Sequence, residues 1–267
     1  MKGFKGAFFI TLAVAVLMAA YIVLSSVGVF NFGSSGSKKS SNDSASYEET
    51  GFSSPEDCVE TYMEYFQNGD FDGMLSCYAI DTFVDNYDME KSVERLMSIQ
   101  PVSTIVLAAD DFSRNISVEE IRYNASKMIR GASWYLSSST FLIDGYAVAL
   151  EPGDDAKDLI DEYLPSDIQE TLSDIEYNGI IDKDDDLFSE YLSRNSDNIE
   201  RYFDVCGSDN YECFAVDFSL DGDDYYLFLD LIEYNNKWYI SPSTSYLSFV
   251  FGLPTNSGNC VLQDDVD

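Results

Sequence analysis

One carboxylate is set apart by its surroundings. Asp230 interrupts the apolar run YYLFLDLIEY at residues 225–234. A carboxyl group among apolar side chains loses hydration in its charged form, so its pKa rises, and a raised pKa suits a general base. The plainer alternative is an aspartate on a strand edge or a solvent face. The chain contains no histidine. This removes imidazole acid–base chemistry, Ser-His-Asp and Cys-His nucleophiles, and histidine metal ligation. No catalytic constellation is left, so the sequence reads as a non-enzyme with no cofactor.

Two acidic runs invite a metal reading. Residues 182–186, DKDDD, open like a calcium loop. Such a loop needs Gly at its sixth position and Glu at its twelfth, where Leu187 and Ser193 stand, so a solvated turn before a helix is expected. Residues 221–224, DGDD, read as a plain hairpin turn.

The cysteines are Cys58, Cys77, Cys206, Cys213 and Cys260. Cys206 and Cys213 bracket the loop GSDNYE and are the first expectation for a disulfide. Cys58–Cys77 is the second, because Cys58 stands about four residues further from the intervening break, roughly 6 Å along a helix. No Cys-x-x-Cys pair is present, so neither a thioredoxin-like nor a zinc site is supported. Tyr and Phe number 19 and 18, and Trp134 and Trp238 join them. Most should be core, with a surface subset able to meet a peptide or a glycan. The hydroxyl run at residues 137–140, SSST, reads as an exposed strand edge or loop.

The elements that must position these groups begin at SPEDCVETYMEYFQNGDFDGML, residues 54–75. Ser54 is placed to cap a helix, with Pro55 at its first position and Glu56 and Asp57 in its first turn. Val59, Tyr62, Met63 and Phe66 then share one helical face. Gly69 ends the helix, and Asp70 is placed to cap a second one carrying Phe71, Met74, Leu75 and Tyr78. A third helix fits Met89, Val93, Leu96 and Met97. Ser117 and Glu120 match a capping box for a fourth. Asp144-Gly145 lies between two β-prone runs and signals a hairpin. Helical patterns return in AKDLIDEYL, in SDIQETLSDI (Ser166 and Gln169 fit a capping box) and in LFSEYLSRNSDNIERYF. From residue 211 the period becomes two, with Phe214, Val216, Phe218 and Leu220 alternating. DGDD, YYLFLDLIEY, the Asn235-Asn236 turn and KWYISP continue a meander that Pro242 ends.

Residues 7–30 carry no charge. At about 1.5 Å per residue they exceed the roughly 30 Å hydrocarbon core of a bilayer. The run outlasts a usual signal-peptide core of about 7–15 residues, although Ser26-Val27-Gly28 offers a cleavage site. An uncleaved anchor is expected, with residues 1–6 as a cytoplasmic leader and the C-terminal part outside, from Lys2 and Lys5. Residues 31–54 are rich in Ser and Gly and read as a flexible spacer. Residues 55–252 form the expected domain, with a helical insertion at about 100–205, and residues 253–267 a polar acidic tail. All 48 acidic residues lie beyond residue 42, whereas 4 of the 15 basic ones precede it. A surface so acidic repels nucleic acid and anionic lipid headgroups.

The opening helix pair with NGDFDGML, followed by a late meander ending in EYNNKWYISP, resembles the nuclear transport factor 2-like (cystatin-like) superfamily. It is similar in particular to membrane-anchored extracytoplasmic domains of Gram-positive bacteria. The resemblance covers residues 55–80 and 211–242. It implies an α+β fold, with N-terminal helices packed on a curved antiparallel sheet that encloses a cone-shaped pocket. Some relatives are isomerases or dehydratases that use an Asp or His in that cone, and others only bind or assemble. The expected function is a single-pass anchored binding domain for an unknown protein, peptide or glycan. A cell-envelope assembly module and an enzyme using a buried carboxylate are the alternatives.

Overall fold

Helix α1, Pro55–Gln67, forms as its sequence dictates: the Ser54 hydroxyl accepts the Asp57 N–H at 3.1 Å, and Pro55 stands at the first position. It buries Cys58, Val59, Tyr62, Met63 and Phe66. Gly69 turns the chain at φ +61°, and Asp70 caps α2, Phe71–Ser76, by accepting the Gly73 N–H at 3.0 Å. The computed structural model describes residues 48, 50–99, 106–138, 148–181 and 186–266. These belong to one compact unit, Ala45–Asp267.

Short helices α3, Asp81–Asn86, and α4, Met89–Leu96, follow. The apolar stripe expected on α4 is not a core face, because Met97 is left-handed at φ 49° and 91% exposed. The long helix α5 spans Asp111–Ser137 and starts earlier than expected. Asp110 and Ser113 cap it reciprocally, while Ser117 is buried inside it, with its hydroxyl bonded to the Leu107 carbonyl at 2.8 Å. A Ser-x-x-Glu pattern does not by itself distinguish a cap from an interior position, and the aspartate upstream is the stronger cap here. Helices α6, Ala156–Tyr163, and α7, Ile168–Ser173, come next, the latter capped by Asp167 rather than Ser166.

Strand β1, Glu176–Ile180, lies within the expected helical insertion, between two segments read as helices, where no strand was expected. It is short and carries a register shift between Tyr177 and Gly179, so its alternation is too brief to read. Helices α8, Asp186–Arg194, and α9, Ser196–Cys206, lead to β2, Asn210–Leu220; β3, Asp223–Tyr234; and β4, Lys237–Ile240. The β2–β3 turn holds Asp221 and Gly222 at positive φ, and the β3–β4 turn Asn235 and Asn236, as tight hairpins require. Helix α10, Tyr246–Val250, and strand β5, Cys260–Leu262, complete the chain. The strands pair antiparallel in the order β1-β2-β3-β4, with β5 also on β3, and the sheet curls into a half-barrel.

Both faces of this sheet are covered. Leu227, Leu229 and Leu231 join α1, α2, α5 and α7 in the main core. Tyr226 and Phe228 point the other way, into a second cluster with Phe188 of α8 and Leu247 of α10. This two-sided burial explains why YYLFLDLIEY is apolar at nearly every position.

Two domain boundaries need correction. The folded unit begins before residue 55: the Glu48 carboxylate accepts the N–H groups of Ile80 at 2.6 Å and Thr82 at 3.0 Å, and Phe52 bridges to Trp238. Residues 253–267 are not a polar tail, since β5 extends the sheet and Ser257, Asn259, Cys260 and Val261 are buried. A three-residue strand in a polar context gives no period to read.

The span 7–30, most of the spacer 31–54, the Asp144-Gly145 hairpin and residues 182–185 lie outside the described residues. Among the described residues no helix is long and apolar enough to cross a membrane.

Candidate functional site

Asp230 sits in the middle of β3, opposite Cys213 of β2. Alternation places it on the face of Tyr226 and Phe228. It is 3% exposed, so neither the edge nor the solvent-face alternative holds. Its oxygens are held by donors from several directions. The Ser245 hydroxyl donates to Oδ1 at 2.8 Å and the Tyr246 N–H to Oδ2 at 2.8 Å. The Cys213 thiol donates to the same carboxylate. Burial pushes the Asp230 carboxyl up to about 6, against the pull of the Tyr246, Ser245 and Cys213 donors.

The segment Ser241-Pro242-Ser243-Thr244-Ser245 supplies this seam. The Ser241 N–H donates to the Asp230 carbonyl at 2.7 Å. Ser241 and Ser243 share a hydroxyl bond of 3.0 Å, and Tyr202 of α9 donates to Ser243 at 2.7 Å. The Ser245 N–H in turn donates to Asn259 Oδ1 at 3.1 Å. Sequence reasoning missed these serines. They stand at alternate positions around Pro242, a pattern that does not by itself mark a donor to a distant strand.

The same face of β3 carries a cluster of rings. Phe188 meets Tyr226 at 5.3 Å and Phe228 at 5.8 Å between centroids, and Phe228 stacks on Phe251 at 5.7 Å. The arrangement can hold a proton and fasten β4 to α10. A substrate would have to displace the Ser245 and Tyr246 donors to reach Asp230.

The expected Cys206–Cys213 bridge is not formed, and all five cysteines are thiols. Cys206 is buried at the end of α9, where the Tyr234 hydroxyl donates to its carbonyl at 2.8 Å, while Cys213 is turned to Asp230. The structure instead brings Cys58 and Cys77 together, with Cys58 Sγ 4.0 Å from the Cys77 carbonyl oxygen. Burial pushes the thiols of Cys58 and Cys206 up, and burial with the Asp230 charge does so for Cys213. None is an activated nucleophile.

The remaining candidates are dispersed. Asp221 and Gly222 form the hairpin turn expected of DGDD, with nothing within 4 Å of a Cβ built on Gly222. Trp238 is buried, and Trp134 is 42% exposed on α5. Ser137 ends α5 and Ser138 is its C-cap, where a strand edge or loop was expected, while residues 139–140 lie outside the described residues. Among the described residues no group of three or more His, Cys, Asp or Glu side chains converges to hold a metal ion.

No family model matches the sequence. No curated protein matches it. The chain is similar to a cystatin-like protein from Ruminococcus gnavus ATCC 29149, with 15% identity and a TM-score of 0.38. The match covers 70% of this chain and 39% of that one.

Proposed function

We propose that this chain is a single-pass membrane protein that displays an α+β binding domain, of the nuclear transport factor 2-like type, outside the cytoplasm. The observation that carries the reading is the order of its parts. An uncharged apolar run at residues 7–30 is followed by a Ser- and Gly-rich spacer, and a folded unit with contacts reaching back to Glu48 comes after them. The strong negative charge beyond residue 42 suits a solvated domain held off an anionic surface. A helix pair leading into an antiparallel meander supports the fold assignment.

The domain works by binding rather than by catalysis in this reading. Carboxylate catalysis needs substrate access, and Asp230 is buried and bonded by Ser245, Tyr246 and Cys213. Protease treatment of intact cells tests the placement. Loss of the domain by cleavage before residue 48 is expected, and full protection in intact cells with cleavage after lysis overturns it.

A further inference from the structure

Two clefts adjoin along the exposed side of α5. One of about 520 Å³ is lined by Lys127, Arg130, Ser138, Thr255 and Asn256, among others. The other, of about 450 Å³, is lined by Phe71, Met74, Ile129, Ile168 and Leu172. Arg130 and Trp134 belong to both, so a cationic lobe and an apolar lobe meet at one arginine and one exposed indole. Each volume falls within the range that holds a small organic ligand, about 300–1,000 Å³.

The first lobe gathers two basic residues of a strongly acidic chain. Acidic residues outnumber basic ones 48 to 15, and Lys91, Arg114, Arg122, Lys157 and Arg194 each bind a carboxylate. Arg130 has no carboxylate partner among the described residues, and Lys127 lies only over the Tyr123 ring, at 5.9 Å. The Ser138 hydroxyl is also buried without a hydrogen-bond partner among the described residues. Lys127 and Arg130, three residues apart on one face of α5, supply two charged donors for an anion. The apolar lobe beside them excludes a bare inorganic ion as the best fit, and the surrounding negative field disfavours a polyanion.

We propose that this double cleft binds an amphipathic organic monoanion, in which Arg130 and Lys127 hold a carboxylate and the Phe71–Leu172 lobe takes an aliphatic or aromatic body. The inference rests on the reading of the domain as a binding module and names the ligand class. An acyl chain and the carboxyl end of an apolar peptide share this chemistry.

Calorimetric titration of the full chain in lipid nanodiscs, with empty nanodiscs as the blank, tests it using octanoate and N-acetylphenylalanine. Saturable binding of at least one with Kd below about 1 mM is expected. The tighter of the two identifies an acyl or a peptide source. Trp134 emission should shift to the blue in step with binding, because the ligand displaces water from the indole. Arg130→Gln with Lys127→Gln should weaken binding about tenfold or more, and both positions are surface ones that leave the core intact. Butyrate, octyltrimethylammonium and inorganic phosphate should each bind at least about tenfold more weakly, lacking the body, the negative charge and the apolar part respectively. Absence of saturable binding by both probes, equal binding by the double variant, or phosphate binding as tight as octanoate overturns the proposal. None of these results bears on protease shaving, so the anchored-domain reading stands or falls separately.

Discussion

The Ser245 hydroxyl donates to Asp230 Oδ1 at 2.8 Å, joining the centre of β3 to the segment that leaves β4. The same carboxylate takes the Tyr246 N–H at the start of α10. One buried charge therefore fastens three pieces of chain that the apolar core alone would leave free to slide.

Ser245→Ala should destabilise the domain by about 1–3 kcal/mol, because the carboxylate loses a donor it cannot replace with water. Asp230→Ala should cost at least as much, since it leaves the Ser245, Cys213 and Tyr246 donors without their acceptor. Urea denaturation of each variant and of the double variant checks this. Strong coupling in the cycle is expected, and additive effects would mean that the bond does not fasten α10.

The Asp230 carboxyl titrates near 6 in the fold, against an ordinary value of 3.8. The folded chain therefore holds this proton more tightly than the unfolded chain does. Its contribution to stability is present below about pH 4 and is lost as pH rises to about 6, by roughly 3 kcal/mol. Subtracting the profile of Asp230→Asn from that of the wild type isolates the effect among the many surface acids. A flat difference between pH 4 and pH 6 would contradict the burial of this group.

Removing the Glu48 carboxylate should loosen the start of the domain. Glu48→Ala leaves the Ile80 and Thr82 N–H groups without their acceptor, at about 1–3 kcal/mol. A chain beginning at residue 54 should melt below one beginning at residue 45, by thermal denaturation of both. Equal melting temperatures would return the boundary to residue 55.

Gly258 should not tolerate a methyl group. Its φ is +62°, and an added Cβ would lie 2.1 Å from the Ala132 nitrogen and 2.3 Å from the Met128 oxygen, both backbone atoms of α5. Gly258→Ala should cost about 1–3 kcal/mol or more, as overpacking against a rigid wall does. Gly252→Ala, at φ +69° in open space, serves as the control with only the conformational cost. Similar losses in both would show that C-terminal docking on α5 is loose.

All five thiols should react with a maleimide once the protein is unfolded without reductant, as counted by intact mass. Reaction of the folded protein at pH 8 should be slow, because burial holds the Cys58, Cys206 and Cys260 thiols above their ordinary range. Fewer than five labels after unfolding would reveal a disulfide.

Much of the local structure was written in the chain. Ser54, Pro55 and the stripe from Val59 to Phe66 specify α1 through caps and a single face. Asp221-Gly222 and Asn235-Asn236 specify the two hairpin turns, because few other residues accept positive φ there. Position within an apolar strand was enough to single out Asp230. Its neighbours were not legible: Ser245 and Asn259 come from later segments, and nothing local marks a serine as a donor to a distant strand.

The sequence by itself determined the strong negative charge, the absence of histidine, the apolar run at residues 7–30 and the main helices and strands, since each depends on composition or on short-range periodicity. Tertiary structure alone decided that β5 joins β3, that Cys58 rather than Cys206 or Cys213 lies beside another cysteine, and that Arg130 and Trp134 sit between two clefts. These relationships join residues from 19 to more than a hundred positions apart. They follow from how the apolar faces of α1, α5 and the sheet pack together, and packing is a property of the whole chain rather than of any stretch within it.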